Sequence, residues 1–324
     1  MTTPGLETGL IISNLGRHFL VETPAGRRLI CHSRGKKAQG VVGDRVLWQA
    51  TQDEGTIEKI EPRRNLFYRQ DEVRTKSFAA NIDQILVLIA AEPEFSPAQL
   101  TRALIAAEAA GIAPLIGLNK LDLTVPFRQA WQRLQPYRDM GYAVLPLSLK
   151  PRTVTASEFA SDTHRLQQHL DAKATLVLGP SGAGKSTLIN WMVPQASVQT
   201  AEISTALNSG KHTTTSTTWY WLDAARQTAL IDSPGFQEFG LQHIAPAHLA
   251  GLMPDLRAHA GNCKFYNCSH LHEPGCHVIA HVEKPGDKLS SENPDHEETA
   301  SQRISAHRYK LYGELYAELS QAKY

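Results

Sequence analysis

One octapeptide constrains this chain more than any other stretch. Gly179, Pro180, Ser181, Gly182, Ala183, Gly184, Lys185 and Ser186 spell G-x-x-x-x-G-K-S. Residues 174–178 (ATLVL) before it read as a buried strand, and residues 187–192 (TLINWM) after it read as the first turns of a helix. Strand, glycine-rich loop and helix start together make the setting that a P-loop requires. Its glycines let backbone N–H groups turn inward around phosphate oxygens, and the helix start adds partial positive charge. In such a loop Lys185 reaches the β- and γ-phosphates and the Ser186 hydroxyl holds Mg2+. Thr187 is counted with the nucleotide-binding residues. A glycine turn without a ligand is the competing reading, and the completeness of the motif disfavours it.

Two further motifs lie at strand ends. Asn119, Lys120, Leu121 and Asp122 (N-K-x-D) follow an expected strand over residues 114–118. A carboxylate there can accept hydrogen bonds from the guanine N1–H and N2 amine, which adenine lacks, so Asp122 would select GTP over ATP. Ser148, with Leu149 and Lys150, follows the next strand and is similar to a short loop that caps a guanine base. Asp232, Ser233, Pro234 and Gly235 follow a strand over residues 228–231. Here Asp232 would enter the Mg2+ shell, and the Gly235 N–H would sense the γ-phosphate. Thr213, Thr214 and Thr215 stand between the P-loop and this motif. One of them could complete the Mg2+ sphere, with Thr214 favoured.

The surrounding pattern divides the 324 residues into three expected domains: 1–75, 76–250 and 251–324. The first holds five short strands (residues 10–12, 18–21, 28–31, 45–48 and 55–60) separated by turn residues, which suits an OB-fold β-barrel. It carries 12 Lys/Arg against 9 Asp/Glu. Arg34, Lys36, Lys37, Arg63, Arg64, Arg69 and Arg74 are its candidate nucleic-acid contacts, with a solvated basic surface as the alternative. In the second domain strands alternate with helices (97–110, 127–138, 162–170), which argues an α/β fold with a parallel sheet covered on both faces.

Three of the four cysteines fall within 14 residues, as C-x4-C-x-H-x5-C: Cys263, Cys268, His270 and Cys276. Three thiolates and one imidazole make a closed tetrahedral zinc site of structural type. His272 and then His277 are alternatives for the nitrogen ligand. So short a segment cannot build a large core, so the metal should supply much of its folding energy. Cys31 stands apart and reads as a buried strand residue. A tail from 301 to 319 places Ile304, Leu311, Leu315 and Leu319 at helical spacing, with Tyr312 and Tyr316 beside them. No apolar run is long enough to span a membrane, and the N-terminus does not read as a signal peptide.

The motif order is informative. Ordinary GTPases run P-loop, threonine switch, D-x-x-G, N-K-x-D and base loop. Here the N-K-x-D and base loop come first. The chain therefore resembles the circularly permuted GTPases, and in detail the ribosome small-subunit-dependent GTPase A (RsgA) family. The resemblance covers nearly the whole chain. It implies an OB-fold barrel, a permuted P-loop GTPase domain and a mainly helical zinc-binding domain. It also implies GTP hydrolysis in late maturation of the small ribosomal subunit, with rRNA as partner, GTP/GDP and Mg2+ at the site, one structural zinc, and a cytoplasmic monomer. The family pattern matches His270 as zinc ligand. Two departures are visible: Leu149 replaces the usual alanine of the base loop, and residues 286–302 form a longer polar stretch. Phe236 stands where many GTPases carry a water-orienting glutamine. His212 is the candidate substitute, and the family also carries histidine there. An ATP-using P-loop enzyme is disfavoured by Asn119 and Asp122. A binding module with a degenerate nucleotide site is disfavoured by Lys185 and Asp232. Another GTP-dependent RNA-binding switch or translation-associated factor is the closest alternative.

Overall fold

The computed structural model describes residues 5–34, 40–51, 54–72, 74–149, 163–194, 217–235, 239–284 and 303–321. Five strands open the chain: β1 (Glu7–Leu15), β2 (His18–Glu22), β3 (Arg28–Ser33), β4 (Arg45–Ala50) and β5 (Gly55–Ile60). They pair in the order β1-β2-β3-β5-β4, and β4 returns to β1 to close a small barrel. β1 serves both neighbours because it is nine residues long and its register shifts between Ile11 and Ser13. Its first residues face β4 and its later ones face β2. Ile11, Val21, Cys31, Val46, Trp48 and Ile57 fill the interior. Burial, helped by the Glu54 carboxylate, pushes the Cys31 thiol up to about 12, which makes it an inert core residue.

Three of the candidate nucleic-acid contacts, Arg63, Arg34 and Arg64, pair with carboxylates of the fold. Asp44 is fully buried and accepts from the Val41 N–H at 2.8 Å. It also accepts from Arg63 Nε at 2.7 Å and Nη2 at 2.8 Å. Arg34 pairs with Glu58 at 2.6 Å and Arg64 with Asp83 at 2.7 Å. Lys36 and Lys37 lie outside the described residues.

A hairpin follows, β6 (Leu66–Gln70) and β7 (Thr75–Ala80), so the expected boundary at residue 75 falls on the first residue of β7. Phe67 and Phe78 of this hairpin meet Phe239, with ring centroids 5.6–6.0 Å apart. Beyond Phe239 the chain runs along β6. The Gln70 N–H donates to Gly240 O at 3.1 Å, and the Gln242 N–H donates to Gln70 O at 3.0 Å. A Cβ at position 240 would lie 2.4 Å from Gln70 O, so this approach requires glycine.

The α/β half comprises β8 (Gln84–Ala90), α1 (Pro97–Ala109), β9 (Ala113–Asn119), α2 (Thr124–Arg133), α3 (Gln135–Asp139) and β10 (Ala143–Pro146). It continues with α4 (Thr163–Leu170), β11 (Ala174–Leu178), α5 (Lys185–Met192), β12 (Thr218–Trp221) and β13 (Ala229–Asp232). The strands line up as β10-β9-β8-β11-β13-β12, parallel except for β12. β8 is buried on both faces: Ile85, Val87 and Ile89 enter one core, Leu86 and Leu88 the other. That division follows from the two-residue period of a strand. The single helix expected over 127–138 is instead two, meeting at Leu134. Pro136 has no N–H to continue the first helix. β12 then pairs with β1 through Ser13 and Thr218, so the barrel strands and the strands of the α/β half join in one 11-stranded sheet.

The C-terminal region holds two short 3-10 turns (Pro246–His248, Ala250–Leu252) and three helices: α6 (Pro254–Ala260), α7 (His277–Ala280) and α8 (Ala306–Leu319). Leu311, Leu315 and Leu319 form the expected stripe together with Tyr312. Ile304 is not on it. It precedes the helix and bridges to Val282, because the Ser305 side chain caps the Arg308 N–H and starts the helix there. Arg308, only 2% exposed, anchors α8 to the rest. It donates to both oxygens of Asp255 on α6 at 2.8 and 3.1 Å and to Thr101 Oγ1 on α1 at 2.7 Å. Its guanidinium also lies 5.4 Å from the ring centroid of Tyr137 on α3. Arg308→Met, which leaves the Asp255 carboxylate buried and unpaired, is expected to destabilise the fold by about 3–5 kcal/mol. Adding Asp255→Asn should restore part of that loss, as read by urea unfolding followed through intrinsic fluorescence.

Candidate nucleotide and metal sites

β8, β9, β11 and β13 run parallel, so the loops after β9, β11 and β13 emerge at one edge of the sheet. Ligands of open α/β sheets bind there, outside the strand C-termini. The N-K-x-D, P-loop and D-x-P-G motifs, separated in sequence, are therefore neighbours.

Glycines shape the P-loop because its backbone passes close to other groups. A Cβ on Gly179 would lie 2.1 Å from Leu88 O. A Cβ on Gly184, whose φ is +104°, would lie 2.4 Å from Asn119 Nδ2. Gly184 is the N-cap of α5. No side chain caps this helix and no acidic residue stands in its first turn. Its first N–H groups and its partial positive charge therefore suit an anion. Ser181, Gly182 and Ser186 of this stretch are exposed, Pro180 and Thr187 are half-buried, and Ala183 is buried.

Lys185 folds back over the loop and donates to Gly179 O at 2.7 Å and Pro180 O at 3.0 Å. Burial lowers its pKa, and the Asp232 carboxylate opposes the shift. Burial likewise pushes Asp232 up to about 6, against the pull of Lys185 and of the Ser233 N–H. A divalent cation at this carboxylate would reverse that shift. Gly235 closes the cleft: a Cβ there would lie 3.2 Å from Lys185 Nζ and 3.8 Å from the Ser181 N. The uncapped N–H groups at the start of α5, one ammonium, a hydroxyl and a carboxylate fit a magnesium-bound nucleoside triphosphate.

Asn119 is the brace between motifs. Its Nδ2 donates to Ala183 O of the P-loop at 3.0 Å, and its Oδ1 accepts from the Leu149 N–H at 3.2 Å. Leu149 thus contributes its backbone, while its buried side chain packs in the core beside Ala183 and Leu188. Lys120 adopts a left-handed backbone (φ +69°), Leu121 is buried, and Asp122 and Ser148 are half-buried beyond it. His212, Thr213, Thr214, Thr215 and Phe236 lie outside the described residues. Sequence reasoning assigns no role to Ser233, yet its buried hydroxyl donates to Val177 O at 2.7 Å and ties D-x-P-G to the P-loop strand. Its place inside a motif is the one signal that could have found it.

Cys263, Cys268, His270 and Cys276 bring their ligand atoms within 4.8 Å of one another. Cys263 Sγ lies 3.8 Å from Cys276 Sγ, and His270 Nδ1 lies 3.4 and 3.5 Å from those two sulfurs. Tetrahedral edges built from Zn–S and Zn–N bonds are about 3.8 and about 3.5 Å, so this donor set fits zinc. His270 has a left-handed backbone (φ +59°), and its carbonyl accepts from the Tyr309 hydroxyl at 2.8 Å. The Tyr312 hydroxyl donates to Ser269 O at 2.7 Å. Two tyrosines of α8 thereby hold the ligand loop. His272 is turned outward, beside Glu273. Cys268→Ser in the full chain should lose one tightly held zinc and lower the unfolding midpoint while keeping GTP binding. Elemental analysis and nucleotide fluorescence would check this.

A model of the RsgA GTPase family matches residues 60–242. The chain is 66% identical over 319 residues to the small ribosomal subunit biogenesis GTPase RsgA of Variovorax paradoxus, covering 98% of this chain and 94% of that one. It is 47% identical to the protein of the same name from Paraburkholderia xenovorans, covering 97% and 93%. Among solved structures it is similar to YloQ, a circularly permuted GTPase, with a TM-score of 0.64 and 26% identity over 97% of this chain and 95% of that one. The fold also matches YjeQ from Thermotoga maritima, with a TM-score of 0.69 and 24% identity over 98% and 99%. With the P-loop, the N-K-x-D brace and D-x-P-G gathered at one sheet edge in permuted order, the chain belongs to the RsgA GTPase family.

Proposed function

We propose that the chain hydrolyses GTP to time its own release from the small ribosomal subunit late in that subunit's maturation. The relatives named above as small ribosomal subunit biogenesis GTPases supply the partner. The observation that carries the mechanism is the path of the chain after D-x-P-G. Within five residues of Gly235, Phe239 packs on Phe67 and Phe78, and Gly240 hydrogen-bonds along β6. The γ-phosphate sensor is thus wired to the hairpin next to the barrel, and the same chain continues into the zinc-binding region. A switch that relaxes on hydrolysis would move the barrel side and the zinc-binding region together.

In this reading Lys185 and the N–H groups of residues 179–187 hold the phosphates, and Ser186, Thr214 and Asp232 hold the Mg2+ shell. Asn119 and Asp122 recognise guanine, with Lys120, Leu121 and Ser148 around the base. The zinc at Cys263, Cys268, His270 and Cys276 is structural. The protein works as a monomer in the cytoplasm. Among the described residues no helix is long and apolar enough to cross a membrane. GTP turnover measured with and without purified small subunits tests the proposal, and a rate unchanged by subunits would refute it.

Lys185→Ala should abolish GTP turnover, because the phosphates lose a fixed charge. Asp122→Asn should weaken GTP and favour xanthine nucleotides, since the base-edge pattern it reads is inverted. Competition binding with GTP and XTP decides that point.

Phe236 cannot orient water, so basal turnover is slow and subunit binding should aim His212 at the attacking water. His212→Ala is then expected to keep GTP affinity and subunit binding but lose most of the stimulated rate, a transition-state effect. Stimulation equal to that of the unaltered protein would make the histidine a bystander.

A further inference from the structure

β8 lies between the N-K-x-D strand and the P-loop strand, so the loop that follows it, residues 91–96, leaves the sheet between those two motifs. The Ala91 N–H donates to Asn119 O at 3.0 Å, which ties the start of the loop to N-K-x-D. Two residues on, Pro93 covers the P-loop: a Cβ built on Gly182 would lie 3.3 Å from Pro93 Cδ and 3.7 Å from its Cγ. The Ser96 hydroxyl accepts from the Gln99 N–H at 3.3 Å, caps α1 and fixes the far end.

Pro93 is exposed, and the grip on its loop comes from α2. Arg133, in the last turn of that helix, donates from Nη2 to Phe95 O at 3.2 Å and pairs with Glu94. Its guanidinium stands 4.8 Å from the ring centroid of Phe95, itself only 3% exposed. One planar cation thus holds residues 94 and 95 by an ion pair, a hydrogen bond and a ring contact, a combination that suits arginine and not lysine. α2 starts two residues after Asp122, so the brace runs from the base-reading motif, through Arg133, to the loop over the phosphate cradle.

The P-loop needs support at that point. Gly179 and Gly184 are pinned by Leu88 O and by Asn119, whereas Gly182 is exposed, has φ +81°, and a Cβ there would meet only Pro93 within 4 Å. Glycine can turn its peptide at little steric cost, which would aim the N–H away from a phosphate. Proline suits the wall, because its ring is rigid and it has no N–H to compete for phosphate oxygens. We propose, on the reading that residues 179–187 cradle the phosphates of GTP, that Pro93 is a positioning residue for the Ser181–Gly182 turn and that Arg133 positions Pro93. The turn is held ready before nucleotide arrives, and release is slow because Gly182 cannot turn away.

Full-length protein with its zinc is loaded with fluorescent N-methylanthraniloyl GDP or a non-hydrolysable GTP analogue carrying the same label. Release is followed by stopped flow against excess unlabelled nucleotide. Arg133→Met and Pro93→Ala should each release both nucleotides about 10-fold faster, the scale of one misdirected N–H bond to a charged oxygen. Combining them should cause no further acceleration, since Arg133 acts through Pro93. A merely structural role for Arg133 would instead lower the nucleotide-free unfolding midpoint and add to the Pro93 effect. Unchanged release in either single variant, or additive acceleration in the double variant, overturns the assignment and leaves the GTPase reading intact. Failure of the unaltered chain to bind either nucleotide overturns both.

Discussion

The carboxamide of Asn119 is the interaction on which the nucleotide site depends. It reaches the P-loop through Ala183 O and the base loop through the Leu149 N–H, so one side chain sets the distance between phosphate and base subsites. That reach is possible only because Gly184 has no Cβ, since such an atom would stand 2.4 Å from the amide nitrogen and push the brace out. The parallel pairing of β8 with β9 and β11 then presents the brace and the loop at one level.

Circular permutation leaves this geometry intact because it reorders connections and not neighbours. The strand that precedes N-K-x-D and the strand that precedes the P-loop are each adjacent to β8, whichever the chain visits first. Permutation alters, among other connections, the continuation of the chain beyond D-x-P-G. Here the next residues become a third line along the β6–β7 hairpin, through Gln70, Gly240 and Gln242. The motif order thus places the residues that follow D-x-P-G against the hairpin beside the barrel.

Much of this is legible in residues 1–324 because the signals are local. The five barrel strands, β8, β11 and α1 lie where alternation, apolar runs and caps place them. The spacing of Cys263, Cys268 and Cys276 marks the Cys3His cluster, while the choice of His270 over His272 and His277 comes from the family pattern. Long-range constraints are not. Arg308 reads as one more surface charge on an amphipathic helix, yet its partners Asp255 and Thr101 are 53 and 207 residues away. The hairpin at 66–80 escapes a reading of periodicity because Arg69 and Lys76 interrupt its apolar pattern. β12 escapes it because four residues, Thr218–Trp221, are too few for periodicity to act on. Arg63 looks like an RNA contact because nothing near it in sequence reveals Asp44, which is 19 residues away.

β8 is buried on both faces and paired on both edges, and its two neighbours are made at very different times. β9 begins at residue 113, but β11 begins only at residue 174. While the chain is being synthesised, the base-reading half can assemble first, with one long apolar strand edge open until the phosphate-binding half arrives. Such edges invite pairing with other chains. Vectorial synthesis therefore imposes a hazard on the permuted order, and insertion of the P-loop strand is the event that ends it.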